Sequence, residues 1–250
     1  MADVENAILI EKLTKSYGAI KAVDGLDLAV RKGELFGLLG PNGAGKTTTL
    51  KVLCGLLEPS GGSATVGGFD VRRETDRIRE LIGVCPQEMG VFPYLTGREN
   101  VELFGDLHTV PRDLLRRRVA ELLEKVSLTA EADRQTKTYS GGMQRRISLI
   151  MALVSEPAIA FLDEPTVGMD PQSRRAVWDF IKGLKEKKTT VILTTHYMEE
   201  AEYLCDRVGI IDKGRVIALG SPAELMKEHG AANLEDVFLK LTGSRIRGAE

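Results

Sequence analysis

Residues 34–50 constrain this chain more than any other stretch, because an apolar run, a glycine-rich loop and a helix start follow one another there without a gap. Leu35, Phe36, Leu38 and Leu39 suit a buried strand. The next residues, Gly40-Pro41-Asn42-Gly43-Ala44-Gly45-Lys46-Thr47, fit the pattern G-x-x-x-x-G-K-[ST]. The chemistry explains the residue types. Glycines let consecutive backbone N–H groups curl around phosphate oxygens that a Cβ would obstruct. The helix that follows offers its unpaired N-terminal donors and positive dipole end to the same anion. Lys46 reaches the β and γ phosphates as a point charge, and the Thr47 hydroxyl can ligate Mg²⁺. Gly40, Pro41, Asn42, Gly43, Ala44, Gly45, Lys46, Thr47 and Thr48 are therefore the candidate residues for holding a nucleotide's phosphates.

Before this loop, residues 7–13 and 25–31 read as strands, the second alternating at Leu26, Leu28 and Val30, and are expected to form a small antiparallel layer beside the main sheet. Tyr17 lies between them, next to Gly18, where an aromatic ring either stacks on a flat purine or fills the loop's own packing. After the loop the pattern predicts a helix from Lys46 to Leu57, a turn at 59–62, a short strand at 63–66, a turn at Gly67-Gly68 and a helix over 75–82. Residues 82–85 form a short strand ending at Pro86-Gln87, and a polar Gln at a strand end is where an α/β fold places ligand contacts.

From Met89 to about Leu153 the strand signal gives way to helical periodicity. Between 112 and 127, Leu114, Leu115, Val119, Leu122, Leu123 and Val126 share one helix face, so 89–154 reads as an inserted helical subdomain. Near its end stands Tyr139-Ser140-Gly141-Gly142-Met143-Gln144-Arg145-Arg146, followed by an apolar helix over 147–154. Ser140 is a good N-cap, and Gly141 and Gly142 expose backbone donors at a helix start. This is a second potential phosphate site, although Ser-Gly-Gly before a helix is also common loop chemistry.

The core resumes at 158–165, where five apolar residues lead into Asp163-Glu164-Pro165. Two adjacent carboxylates at the end of a buried strand are costly without partners, and a nucleotide beside them supplies a purpose. Asp163 can hold Mg²⁺ through its water shell, and Glu164 can take a proton from the water that attacks the γ phosphate. The alternative is two solvated acids at an exposed strand end. A turn at 166–171, a helix from 172 to about 187 and a β-branched strand over 189–195 follow, with His196 at the strand's end. A lone histidine is more often structural; its position makes it a candidate hydrogen-bond donor to the γ phosphate. Residues 207–212 and 215–219 read as a hairpin, and Leu234, Val237, Phe238 and Leu241 as an amphipathic helix.

Composition excludes several classes. The net charge of −2, from 34 basic and 36 acidic residues, gives no overall attraction to nucleic acid, and the cluster Arg112, Arg116, Arg117 and Arg118 alternates with leucines as the wet face of a helix does. Cys54, Cys85 and Cys205 are widely spaced and lack a C-x-x-C pair, as expected of buried thiols in a reducing compartment. The acidic start Met1-Ala2-Asp3-Val4-Glu5 predicts no secretory signal, and no window approaches eighteen uninterrupted apolar residues.

Taken together, these motifs closely resemble the ATP-binding subunit of an ABC transporter, over essentially the whole chain. Each motif is modest alone; six in the right order are specific. The resemblance implies an α/β fold of the P-loop NTPase class, with a RecA/F1-like core sheet, an N-terminal antiparallel β subdomain and an inserted α-helical subdomain. It implies one ABC ATPase domain, with 1–88 and 155–250 as the catalytic core and 89–154 carrying the signature loop. It implies that Tyr17 stacks on adenine, that 40–47 is the Walker A loop, and that Gln87 lies near Mg²⁺ and the attacking water. Residues 139–143 become the signature loop, Asp163 the Walker B carboxylate, Glu164 the catalytic base, 167–170 the D-loop and His196 the switch histidine. Lys46, Gln87, Glu164 and His196 are then catalytic, Thr47, Gln87 and Asp163 hold the metal, and the cofactors are ATP and Mg²⁺.

Two such subunits, identical or paralogous, would pair head to tail so that each ATP lies between one Walker A loop and the other subunit's Ser140, Gly141 and Gly142. A separate integral-membrane permease would then hold the protein on the cytoplasmic face of the membrane, with Met89, Val91, Phe92, Pro93 and Tyr94 offering apolar area for it, unless these residues pack within the helical subdomain. In the signature, Tyr139 replaces the usual Leu and Met143 the usual Gln. Tyr-Ser-Gly-Gly-Met, with the closing residues 234–243, is similar to the drug-resistance or ABC-2 type exporter branch. The alternative within the family is a soluble ABC ATPase of translation or DNA repair, but those carry tandem repeats or long coiled-coil insertions. A GTPase would show Asn-Lys-x-Asp, and a small-molecule kinase would need an acceptor pocket.

Overall fold

The computed structural model describes residues 5–243; the acidic start Met1–Val4 and residues 244–250 lie outside the described residues. The apolar alternation at the N-terminus becomes an antiparallel hairpin of β1 (Asn6–Tyr17) and β2 (Ile20–Arg31). Both strands outrun their predicted bounds, because register shifts after Ile10 and Lys15 let the ladder continue through polar residues. Then come β3 (Leu35–Leu39), α1 (Lys46–Leu53), β4 (Gly61–Val66), β5 (Phe69–Asp70), α2 (Thr75–Leu81), β6 (Ile82–Cys85), α3 (Gly97–Leu107) and α4 (Arg112–Lys125). They are followed by α5 (Gly141–Leu153), β7 (Ile159–Asp163), α6 (Pro171–Gly183), β8 (Thr190–Thr195), α7 (Met198–Leu204), β9 (Arg207–Asp212), β10 (Arg215–Gly220), α8 (Pro222–Glu228) and α9 (Leu234–Thr242).

The strands make two sheets, an antiparallel layer ordered β2-β1-β4-β5 and a main sheet ordered β10-β9-β3-β8-β7-β6. Pairing is parallel from β9 through β6, and only β10 is antiparallel. Parallel strands with both faces covered read as unbroken apolar runs, as β3, β7 and β8 do, buried at every residue. Their side chains divide between two cores. Leu35, Leu39, Ala160, Leu162, Val191 and Leu193 pack against the helices α4 to α9. Phe36, Leu38, Ile159, Phe161 and Ile192 pack against α1, α2 and the antiparallel layer.

Several helix ends differ from expectation for local reasons. Helix α1 stops at Leu53 rather than Leu57, because Gly55 turns left-handed at φ 68° and packs on Thr75. Helix α6 ends at Gly183, and 184–188 close as tight turns up to Lys188, at φ 58°. Helix α5 starts at Gly141, six residues before the predicted apolar run, because the Ser140 hydroxyl accepts the Met143 N–H at 3.3 Å. Helices α7 and α8 are additional to the predicted set. Between β6 and β7 the regular elements of the described chain are helices joined by loops, with one isolated bridge, Thr96 to Gln135. Arg112, Arg116 and Arg117 are exposed there, while Arg118 pairs with Glu156.

Candidate active site

Because β3, β6, β7 and β8 run parallel, the loops leaving their carboxyl ends emerge at one edge of the sheet. These loops carry Gly40 to Lys46, Gln87, Asp163-Glu164 and His196. The glycine loop is wedged against the rest of the fold. A Cβ at Gly45, which sits at φ 106°, would lie 2.3 Å from the Ala22 carbonyl oxygen, and Gly214 N–H donates to the Ala44 carbonyl at 2.9 Å. On its other side the loop is open, since a Cβ at Gly43 (φ 83°) would meet nothing within 4 Å. Helix α1 begins here without a side-chain cap or an acidic residue in its first turn, and Thr47 and Thr48 are half-buried.

Lys46 is 5% exposed and folds back into the loop, donating to the carbonyls of Gly40 at 2.7 Å and Pro41 at 3.1 Å. Burial holds its ammonium below its ordinary value, against the opposing pull of Glu164 and Asp163. Its Nζ stands 3.7 Å from Glu164 Oε1. The same carboxylate oxygen meets His196 Nδ1 at 3.2 Å, and Oε2 receives Gln87 Nε2 at 3.5 Å. The His196 hydrogen bond lowers the Glu164 carboxyl below its ordinary value despite its burial. Glu164 occupies the left-handed region at φ 50°, a strained conformation for a residue with a side chain, and its N–H donates to both the carbonyl and the hydroxyl of Thr194, each at 3.1 Å. That hydroxyl in turn donates to Asp163 Oδ1, which is buried beside it.

Four side chains singled out from strand ends and the glycine loop, Lys46, Gln87, Glu164 and His196, thus meet directly, with Asp163 joined through Thr194. Tyr17 and Ser140 to Gly142 do not join them: among the described residues no hydrogen bond or ion pair links either to the cluster. Tyr17 ends β1, half exposed, with Lys15 Nζ 5.5 Å from its ring centre. Ser140 caps α5, a Cβ at Gly141 would meet nothing within 4 Å, and Gly142 faces Met169 and Gly168. Tyr139 explains its own departure from the usual Leu. Its buried hydroxyl donates to the Glu131 carbonyl at 2.5 Å and packs against Gly97 at the start of α3.

Three structural partners of the site were not singled out from the sequence. Thr194 lies within an ordinary β-branched run. Arg145 reaches backbone carbonyls beside Gln87 and Glu164. Glu200 accepts from Thr166 and Trp178, bracing the chain after Glu164 against the helix after His196.

The donor set suits a triphosphate with a hard divalent cation. A buried ammonium, an uncapped helix start and an open glycine loop face two carboxylates and a hydroxyl. Among the described residues no three His, Cys, Asp or Glu side chains gather into a metal site of their own. Mg²⁺ is bound in such sites by one or two carboxylates together with substrate phosphates, and these residues fit that requirement.

Comparison with known proteins shows what the whole chain is similar to. The family model described as ABC transporter matches residues 23–167. The chain is 44% identical over 239 residues to the linearmycin resistance ATP-binding protein LnrL of Bacillus subtilis, covering 96% of this chain and 76% of that protein. It is 47% identical over 243 residues to the daunorubicin resistance ATP-binding protein DrrA3 of Streptomyces coeruleorubidus, covering 97% and 76%. Among solved structures it superposes, with a TM-score of 0.79 and 26% identity, on the dimeric post-hydrolysis state of the ATP-binding cassette MJ0796 bound to ADP and Pi, covering 86% of this chain and 98% of that one.

Proposed function

Because the chain belongs to the ABC transporter family, as an ATP-binding, ATP-hydrolysing subunit of its drug-resistance branch that powers transport, we propose that it drives export through a separate membrane permease. Two copies, or this chain and a paralogue, pair head to tail around ATP. The observation that carries the residue assignments is the convergence of Lys46, Gln87, Glu164 and His196 at the mouth of the glycine loop, at separations of 3.2 to 3.7 Å.

In this reading the backbone donors of 40–48 hold the β and γ phosphates, and Lys46 Nζ exchanges the carbonyls of Gly40 and Pro41 for phosphate oxygens. Tyr17, exposed and next to the turn at Gly18, stacks on adenine. Thr47 and Asp163 hold Mg²⁺ with Gln87 nearby; the ion supplies positive charge that offsets the phosphates. Gln87 orients the attacking water, whose oxygen bonds to the γ phosphorus as the bond to ADP breaks. Glu164 Oε1 or Oε2 takes the water's proton, and His196 donates to the γ phosphate. The bound triphosphate, a like charge, raises the Glu164 carboxyl from its lowered value and so makes it a better base when substrate is present.

Ser140, Gly141 and Gly142 have no role at their own chain's cluster, which suits a helix start that receives the partner subunit's ATP. Residues 89–154 act as a helical subdomain on a core of 1–88 and 155–250, and hydrolysis releases the dimer by removing the γ phosphate that holds it. Met89, Phe92 and Tyr94 are exposed and offer a permease its apolar contact at the cytoplasmic face. Among the described residues no helix is long and apolar enough to cross a membrane.

The test is phosphate release from ATP by the purified chain. Release is expected to need Mg²⁺, to stop on chelation with EDTA, and to fall on the order of 10²- to 10⁴-fold in Glu164→Gln, which removes the base but leaves the loop intact. Unchanged release in that variant removes Glu164 from the chemistry.

A further inference from the structure

Arg145 lies early in α5 and is 3% exposed, yet among the described residues no carboxylate is in hydrogen-bond contact with it. Its Nη1 donates to the carbonyls of Pro86 at 2.5 Å and Gln87 at 2.9 Å, and its Nη2 to those of Asp163 and Glu164, the latter at 2.6 Å. A helix that needed only to pack here would carry an apolar side chain, since burying a guanidinium is costly unless its donors are met. Among the described residues Nε has no hydrogen-bond partner, so the fork's hydrogen bonds all go to these four carbonyls, with the Glu164 carboxylate adding a Coulombic pull. They belong to the two loops whose side chains, Gln87 and Glu164, stand 3.5 Å apart.

We propose that Arg145 is a positioning residue that sets the spacing of Gln87 and Glu164 and couples it to the Ser140–Gly142 helix start of the same α5. This rests on the site reading above. A planar fork can fix two backbone segments at once, whereas an ammonium donates from a single point. When the partner's ATP seats against Ser140 to Gly142, the force on α5 passes through Arg145 to the pair that activates water at this subunit's own site. Each site then becomes competent only as the other fills.

The experiment compares Arg145→Met, Arg145→Lys and Glu164→Gln in the full chain, reading the ATP dependence of phosphate release, ATP binding by equilibrium dialysis, and folding by circular dichroism. Wild type should be sigmoidal in ATP. Arg145→Met should bind ATP as wild type does but lose kcat on the order of 10²-fold, the size expected from misplacing reacting groups by about an ångström, with its Hill coefficient falling towards one. Arg145→Lys should recover part of kcat. A folded Arg145→Met with wild-type kcat and Hill coefficient overturns the proposal, as does unfolding of both Arg145 variants, which would make the residue a strut of the fold. Wild-type hydrolysis by Glu164→Gln alongside an impaired Arg145→Met would instead refute the assignment of the base, and with it the pair that Arg145 is proposed to position.

Discussion

Glu200 is completely buried on α7, and its Oε1 accepts the Thr166 hydroxyl at 2.6 Å and the Trp178 indole N–H at 2.8 Å. Replacing it by alanine strands both donors where water cannot reach them. An unsatisfied buried donor costs about 1–3 kcal/mol, so Glu200→Ala should lose about 2–6 kcal/mol before any cavity is counted. Set against the roughly 5–15 kcal/mol that stabilises a typical protein, this is a large fraction. Glu200→Gln is a different perturbation, because its amide oxygen can still accept from both groups. Burial raises the Glu200 carboxyl above its ordinary value of 4.5, against the lowering effect of its hydrogen bonds and of Arg174. The unfolded chain therefore releases this proton at lower pH than the folded one. Wild type loses stability as pH climbs from the unfolded value to the raised folded value, and the glutamine variant, which does not titrate, does not. The advantage of Glu200→Gln over wild type should widen above about pH 4.5 and then level off. Urea denaturation followed by fluorescence reads the site directly, because Trp178 is the chain's single tryptophan. A Glu200→Ala protein within about 1 kcal/mol of wild type, or a Glu200→Gln protein as damaged as the alanine variant, would show that these two hydrogen bonds do not hold α7 in place.

Two other consequences concern the site and its surface. Glu164 must be ionised to act as a base, and the His196 hydrogen bond holds it low; the acid limb of the kcat/KM profile should therefore lie below the ordinary glutamate range and move to higher pH in His196→Ala, and a limb that stays put would contradict this. Phe92→Ala with Tyr94→Ala removes exposed apolar area, so transport by the subunit co-expressed with its permease should fall while phosphate release by the purified chain persists; joint loss of ATPase and fold would instead make these residues part of the packing.

The glycine loop was legible because phosphate chemistry dictates both residue types and spacing, and the strand ends because Gln87 and Asp163-Glu164 close apolar runs and His196 closes a β-branched one. Arg145 and Glu200 were not legible for a shared reason. Arg145 bonds to carbonyls, which every residue possesses, and Glu200 to partners 22 and 34 positions away, so neither leaves a local pattern. Helix α8 did carry a signal, the capping box Ser221-Pro222-Ala223-Glu224 with proline at its first position. Helix α7 lacks any side-chain cap, and seven residues are too few for periodicity to stand out. The overshoot of α6 came from the charged run after Gly183, whose composition suits a helix end but whose backbone closes in turns.

In the proposed mechanism ATP, held by the loop and left uncleaved, joins two subunits. Sedimentation of Glu164→Gln with ATP, with and without Mg²⁺, tests it most directly, since the amide cannot take the proton but leaves the phosphate loop whole. A monomer that becomes a dimer only with ATP is expected. A chain that binds ATP and remains monomeric would contradict it.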